Sequence, residues 1–442
     1  PPDAKTQVSV HGSPGIATWV TAGEGPIRGF KVLDGLLYAI SGPWLYSISN
    51  DPTPVATRIG GQISGSAVVS MDDNDTEIMT VNGVNGYVYD TDSGFRIVTD
   101  TDFHAANTVA YLDGFFMFDR AGTSQFFRSD SLDGTSYDGT AFATKESKSD
   151  HVQGVVNVKQ VLHVLGTISS ELWVNSGAAN FPFQRLGTLD RGIIGPHATA
   201  QEDQGLFLVG DDRIAYRISG TQLSRISTHA IEGTWQKYSA VSNCFGLAYT
   251  FAGHKFVVFT FPTEQVDLGD SSSWVYDIST QLWHEKLSYD RNGTPLGRWR
   301  GNCAIEAYGK TLIGDSVSGK IGYLDGEIRT EFDDPMYAQA VSPVLHASRK
   351  RAFMSLFELD MESGTVDGSD LEPQVMLDIS DDGGRQFGTP QLWQSMGKKG
   401  QYRQRLRWKR LGSFYDRVMR ITISDTVKRT IISANAEIKV GL

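Results

Sequence analysis

Arg403, Arg405, Arg407 and Lys409 occupy every second position of one stretch, and their type and spacing point to one chemistry, the binding of anions. On a strand, a period of two puts all four on one face, with Gln404, Leu406, Trp408 and Arg410 on the other. From Lys398 to Arg420 nine Lys or Arg stand against one acid, a local charge of +8. The whole chain carries −11, so the remainder sums to −19. A basic face on an acidic protein reads as a contact surface, with Arg403, Arg405, Arg407, Lys409, Arg410 and Arg417 as its candidate docking residues. The same residues fit three uses. They could guard an exposed strand edge against aggregation, neutralise phosphates without reading sequence, or form a seam against an acidic partner. Charge alone does not choose among them.

Other chemistry has little support in the residue pattern. Nine histidines are scattered, no two closer than the 12 residues between His151 and His163, so no metal-ligand spacing is present. The acidic clusters Met71–Glu77 and Asp90–Gly94 lack the twelve-residue loop with a terminal bidentate Glu that calcium loops use. Asp, Asn and Gly also make hairpin turns, and that reading is preferred. SDDGGRQF, from Ser380 to Phe387, fits the Ser-x-Asp-x-Gly-x-x-aromatic pattern of an Asp-box. In sialidases and other propellers that box is a turn away from the chemistry. No nucleophile elbow, phosphate loop or dinucleotide fingerprint occurs. No catalytic, cofactor or metal residue is therefore assigned.

Cys244 and Cys303 are too few for a disulfide scaffold and read as two buried free thiols. No apolar run approaches the roughly 18–20 residues of a membrane span, and no signal-peptide pattern opens the sequence. The chain begins at Pro1, so an initiator residue or short segment is expected to be missing. The whole reads as a soluble product of a reducing cytoplasm. Its net acidity argues against a surface that wraps nucleic acid throughout.

The elements that must position the basic face are strands. Short apolar runs recur: GLLYAISG from Gly35, EIMTVNG from Glu77, GFFMFDR from Gly114, VLHVLGT from Val161, GLFLVGD from Gly205, KFVVFTF from Lys255 and KTLIGDS from Lys310. Successive starts differ by 42, 37, 47, 44, 50 and 55 residues. Each run is too short for a buried helix and is bounded by turn residues. A unit of this length with about four strands has the spacing of a propeller blade. The fold expected is all-β: a β-propeller of seven blades, or six as the alternative, over residues 1–332. Glu331–Pro343, acidic and with two prolines, marks a boundary. Beyond it, five longer alternating strands predict a small antiparallel β-sandwich over 333–442.

Two blocks, Leu165–Gly220 and Gly400–Asp425, resemble the packaged-DNA stabilisation proteins of short-tailed bacteriophages, also called the tail hub or nozzle. Ser13–Phe30 and Ser129–Ser147 resemble the same family in the same order. Trp173, Asp190, Arg191, Gly192, Trp408, Lys409, Arg410 and Gly412 carry the alignment and mark family membership, not catalysis. The resemblance implies a non-enzymatic ring of six copies below the portal and adaptor of a phage tail. It would be assembled in the bacterial cytoplasm, close the channel after packaging, retain the genome, and anchor tailspikes or fibres and a central needle. DNA would pass its lumen during ejection without sequence-specific binding, and no cofactor is implied. The alternative is a glycan-binding or glycan-cleaving propeller that acts on the host envelope, supported by the Asp-box and nine tryptophans.

Overall fold

The computed structural model describes residues 9–178, 181–267, 269–365, 372–388 and 392–441. The chain divides into two compact units. One comprises Thr18–Ser288 and Pro295–Leu324; the other comprises the residues before Thr18, Tyr289–Thr294 and the chain from Asp325 on.

In the larger unit, strands Ile27–Leu33, Leu36–Ser41, Trp44–Ser49 and Val55–Gly61 pair antiparallel in chain order. Five further four-stranded meanders follow, opening at Ser70–Asp73, Val109–Leu112, Val152–Val158, Thr199–Glu202 and Phe245–Phe251. In the last sheet Gly301–Ala307, Lys310–Asp315 and Lys320–Asp325 are joined by Gly15–Thr21 from the other end of the chain. Every apolar run named above forms the second strand of one of these sheets. Asp34–Gly35 and Asp113–Gly114 each link a first strand to a second with both residues at positive φ. That is the type I′ geometry that suits a two-residue hairpin.

The second strands are apolar throughout because neighbouring sheets cover both of their faces. Alternation then sends successive residues to opposite neighbours. Leu206 and Leu208 pack with Leu165 and Leu172 of the preceding sheet. Phe207 and Val209 pack with Val257 and Phe259 of the following one. Leu37 and Ile48 of the first sheet meet Leu312 and Ile321 of the last, so the series closes on itself. Opening strands are tied to their neighbours by side chains. Lys31 pairs with Asp72 at 2.6 Å, Asp72 accepts from the Tyr111 amide at 2.6 Å, and Asn302 donates to Ile27 O at 2.7 Å. Each of these middle strands thus buries about twice the apolar surface of a strand covered on one face only. Each large side chain removed from water contributes roughly 1.5–3 kcal/mol.

One short helix, His229–Trp235, lies between the fifth and sixth sheets, where the sequence shows no helical period. It buries Trp235 completely, and Arg213 donates to the carbonyls of Trp235, Gln236 and Tyr238 beyond its last turn.

The second unit packs two antiparallel sheets on a shared core. One runs Val10–His11, Thr430–Val440, Ala352–Met361, Leu406–Lys409. The other runs Ala338–Val341, Asp416–Ile423, Gln374–Ser380, Leu392–Ser395. Met354, Phe357, Leu359, Leu377, Leu406, Trp408 and Ile421 fill the space between. Val10 and His11, from the start of the chain, pair with Ile431 and Thr430 near its end.

Candidate docking surface

Leu406–Lys409 pairs antiparallel with Leu356–Leu359, and its residues alternate between core and solvent. Leu406 and Trp408 are buried, whereas Arg407 and Lys409 are exposed. Trp408 fixes the register of this face. It stacks on Phe357 at a ring distance of 5.7 Å and donates from Nε1 to Leu392 O at 3.2 Å. Glu358 lies directly across from Arg407 and accepts from Arg407 Nε at 2.6 Å and Arg405 Nη1 at 3.4 Å. Arg403, Lys409 and Arg410, all exposed, have no ion pair among the described residues.

The hydrogen-bonded strand is shorter than the charge pattern. Arg410 adopts φ 59° and Gly412 φ 77°, so the backbone bulges after Lys409 before Ser413–Phe414 pairs again with Ala352–Phe353. The amides of Arg410 and Leu411 bond instead to Ser355 O and Met354 O, at 2.9 and 3.1 Å. Gly412 has open space around it, so the positive φ is the demand it meets.

Arg417 stands apart from the other five candidates. It is 2% exposed. Nε and Nη2 bind the two Asp381 oxygens at 2.7 and 2.9 Å, Nη1 donates to Leu411 O at 2.7 Å, and the guanidinium lies over Phe414. Its charge is spent inside the unit. Alternation along Asp416–Ile423 turns Arg417 inward, and the sequence carries no mark of that register. The exposed candidates are therefore Arg403, Arg405, Arg407, Lys409 and Arg410, and Lys398 and Lys399 are exposed as well.

Next to this face, Leu392–Ser395 and Leu406–Lys409 are each the last strand of their sheet. Between them runs a groove of about 320 Å³ lined by Leu392, Trp393, Gln394, Arg407, Lys409 and Leu411. Trp393 is 59% exposed. The charge pattern gave no hint of this apolar component, which lies ten residues upstream on the other sheet.

The remaining alignment positions are in the propeller-like unit and do structural work. Gly192 sits where a Cβ would fall 2.3 Å from Thr167 C and 2.4 Å from Ile168 N, so no side chain fits. Arg191 pairs with Asp212 at 3.1 Å and lies over Tyr216; Asp190 pairs with Lys148 at 3.1 Å. Trp173 donates to Glu171 Oε2 at 2.9 Å and meets Phe126 edge-on. Glu171, fully buried, also accepts from the amides of Glu146 and Ser147. Close by, Lys145 and Asp150 form a buried ion pair that Ser169 completes. Burial pushes the Asp150 carboxyl upward. The Lys145 ammonium and the Ile168 and Ser169 groups more than offset this, leaving it below the usual carboxylate range.

The acidic clusters are turns. Asn74 Oδ1 accepts from the amides of Thr76 and Glu77. In the Asp-box, Asp382 Oδ1 accepts from the amides of Arg385 and Gln386 at 2.9 and 3.0 Å, and the box falls in the sandwich unit. Cys244 and Cys303 are free thiols, pushed above their ordinary range by burial. Among the described residues, no group of three or more His, Cys, Asp or Glu is placed to hold a metal ion.

A closed series of four-stranded sheets with a separate two-sheet unit defines a β-propeller and β-sandwich protein. Residues 6–329 match the family described as Bacteriophage P22 Gp10, β-propeller, and residues 337–439 match Bacteriophage P22 Gp10, β-sandwich. The chain belongs to the bacteriophage P22 Gp10 family, whose members are phage tail structural proteins.

No curated protein matches by sequence. Among solved structures, the chain is similar to the extracellular domain of a hybrid two-component system of B. thetaiotaomicron. Identity there is 10%, with 77% of this chain and 44% of that one covered and a TM-score of 0.47. It is also similar to the Swd1 β-propeller domain of Myceliophteria thermophila, at 9% identity, 70% and 98% coverage and a TM-score of 0.45. BamB from Moraxella catarrhalis gives 10%, 73% and 94%, with a TM-score of 0.41. The chain spans less than half the length of the two-component-system domain it matches.

Proposed function

We propose that this chain is the hub, or nozzle, of a short phage tail. Several copies, six in the simplest reading, form a ring below the portal and adaptor. The ring closes the channel after packaging, retains the genome, anchors tailspikes or fibres and a needle, and lets DNA pass during ejection. The work is mechanical, not enzymatic. The observation that carries this reading is the match to both Gp10 domain families along nearly the whole chain. The sheets of the larger unit are read as seven propeller blades, the last completed by Gly15–Thr21.

The charge distribution fits that role. An acidic remainder limits adhesion of DNA to a channel wall, since like charges repel. The exposed basic residues Arg403, Arg405, Arg407, Lys409 and Arg410 are read as a docking surface toward the adaptor or a neighbouring subunit.

Electron microscopy of the purified chain mixed with the portal–adaptor complex tests the hub reading. A docked ring with an axial hole, and a copy number read from it, is the expected result. Single particles that ignore the connector overturn it, and release of reducing sugar from host polysaccharide would put a glycan-cleaving role in its place. Arg405→Glu with Arg407→Glu tests the docking surface. Both side chains are exposed, so the fold should persist while assembly fails; normal assembly removes this face from the docking role.

A further inference from the structure

The basic face lies on an open side of the sandwich unit. Leu392–Ser395 and Leu406–Lys409 each end a sheet, so among the described residues neither has a strand on its outer side. Two edge strands with a groove between them present backbone donors and acceptors to a partner chain, apart from Leu392 O, which Trp408 already holds. Native edges of this kind are commonly blunted by charge. Here the charges are all of one sign, which repels a second basic strand and attracts an acidic one.

The inner side of Leu406–Lys409 shows what such a strand would do. Glu358, directly across from Arg407, bridges Arg405 and Arg407 with one carboxylate. Lys409, across from Leu356, has no such counterpart, and neither does exposed Arg410 beside it. Side chains on one face of a strand repeat about every 6.6–6.8 Å. Acids at alternate positions of an added strand would therefore meet the basic row in register, as cross-strand charge pairs do. Trp393 and Leu392, exposed beside the groove, offer that strand an apolar contact.

We infer that this double edge takes an extended acidic segment of a partner protein as an added β-strand, with carboxylates on Arg407 and Lys409 and an apolar side chain against Trp393. Main-chain hydrogen bonds supply affinity in this mode, and side-chain pockets supply selectivity. The inference rests on the docking role proposed above and gives that surface its partner chemistry. A nucleic acid could use the charges but has no use for the free edge or the groove.

The test uses the full chain and three probes: a synthetic peptide alternating Glu and Thr, its Lys-for-Glu counterpart, and a DNA duplex. Calorimetry gives affinity, and hydrogen exchange follows the amides of Leu392–Ser395 and Leu406–Lys409. The acidic peptide should bind saturably and slow exchange in at least one of the two strands. The variant carrying Arg407→Glu and Lys409→Glu, shown to be folded by an unchanged melting transition, should lose at least about tenfold in affinity for it and gain binding of the Lys peptide. No binding of the acidic peptide, binding without slowed exchange, or preference for the duplex with a steep salt dependence would each overturn strand addition. Those results leave ring formation on the connector untouched. Failure of the ring with peptide binding intact would instead overturn the hub reading alone.

Discussion

The two units handle sheet edges and charges in opposite ways. In the propeller, consecutive sheets cover one another and the last meets the first, so both faces of each middle strand are spent on folding. Its most buried charges are satisfied in place: Arg300 holds Asp315 with two hydrogen bonds at 2.9 and 2.6 Å, and Lys145 holds Asp150. In the sandwich, one core lies between two sheets, two outer strands stay open side by side, and Arg407 and Lys409 face water while Arg417 is held inside by Asp381. Covered faces give a rigid body, and open edges give a place to bind. On the docking role proposed above, stability and recognition fall to different parts of one chain.

The strongest challenge to that contrast is to remove a propeller charge partner. Asp315→Ala removes the two carboxylate bonds to buried Arg300 and should cost about 3–5 kcal/mol in denaturant unfolding, because a buried ion pair is broken on one side. A loss under 1 kcal/mol would mean that water reaches the pair, and the contrast in charge handling would fail. Gly192→Ala comes next. Its Cβ would meet the backbone of Thr167 and Ile168, which has no side chain to swing aside, so a loss of about 1–3 kcal/mol is expected.

Acid sharpens the comparison through His197, whose imidazole burial holds at about 4. Its folded pKa is depressed, so below pH 6.5 the unfolded chain takes up a proton that the folded chain refuses. The associated stability is full above about 6.5 and falls as the pH drops toward 4. His197→Asn should remove that slope, by about 1–3 kcal/mol between pH 6.5 and 4 in a comparison with the parent chain. Parallel curves for the two proteins would count against an imidazole kept neutral in the fold. The smallest effect belongs to the sandwich surface. Glu358→Ala breaks a pair whose arginines are exposed and should change unfolding by less than about 1 kcal/mol. A larger loss would make the basic row part of the fold instead of a free surface.

Much of the propeller was legible because its signals are local. A continuous apolar run bounded by Asp-Gly turns marks a strand covered on both faces, and the runs proved to be the second strands. The Asp34–Gly35 and Asp113–Gly114 hairpins were readable for the same reason. Lys159–Gln160 and Asp203–Gln204 adopt the same positive φ values without a glycine, because the strands on either side fix the turn. The helix at His229–Trp235 was hidden, since seven residues cannot show a period.

The sequence by itself determined an all-β chain and an alternating basic row whose odd positions face water. These follow from period, turn chemistry and charge, which act over a few residues. Only the tertiary structure decided that Arg417 turns inward onto Asp381, that Val10–His11 pairs with residues more than 400 positions later, and that Trp393 shares a groove with Arg407. Each depends on which sheet a strand joins and on which side of it remains open. Strand pairing across the chain settles both, and no local pattern encodes it.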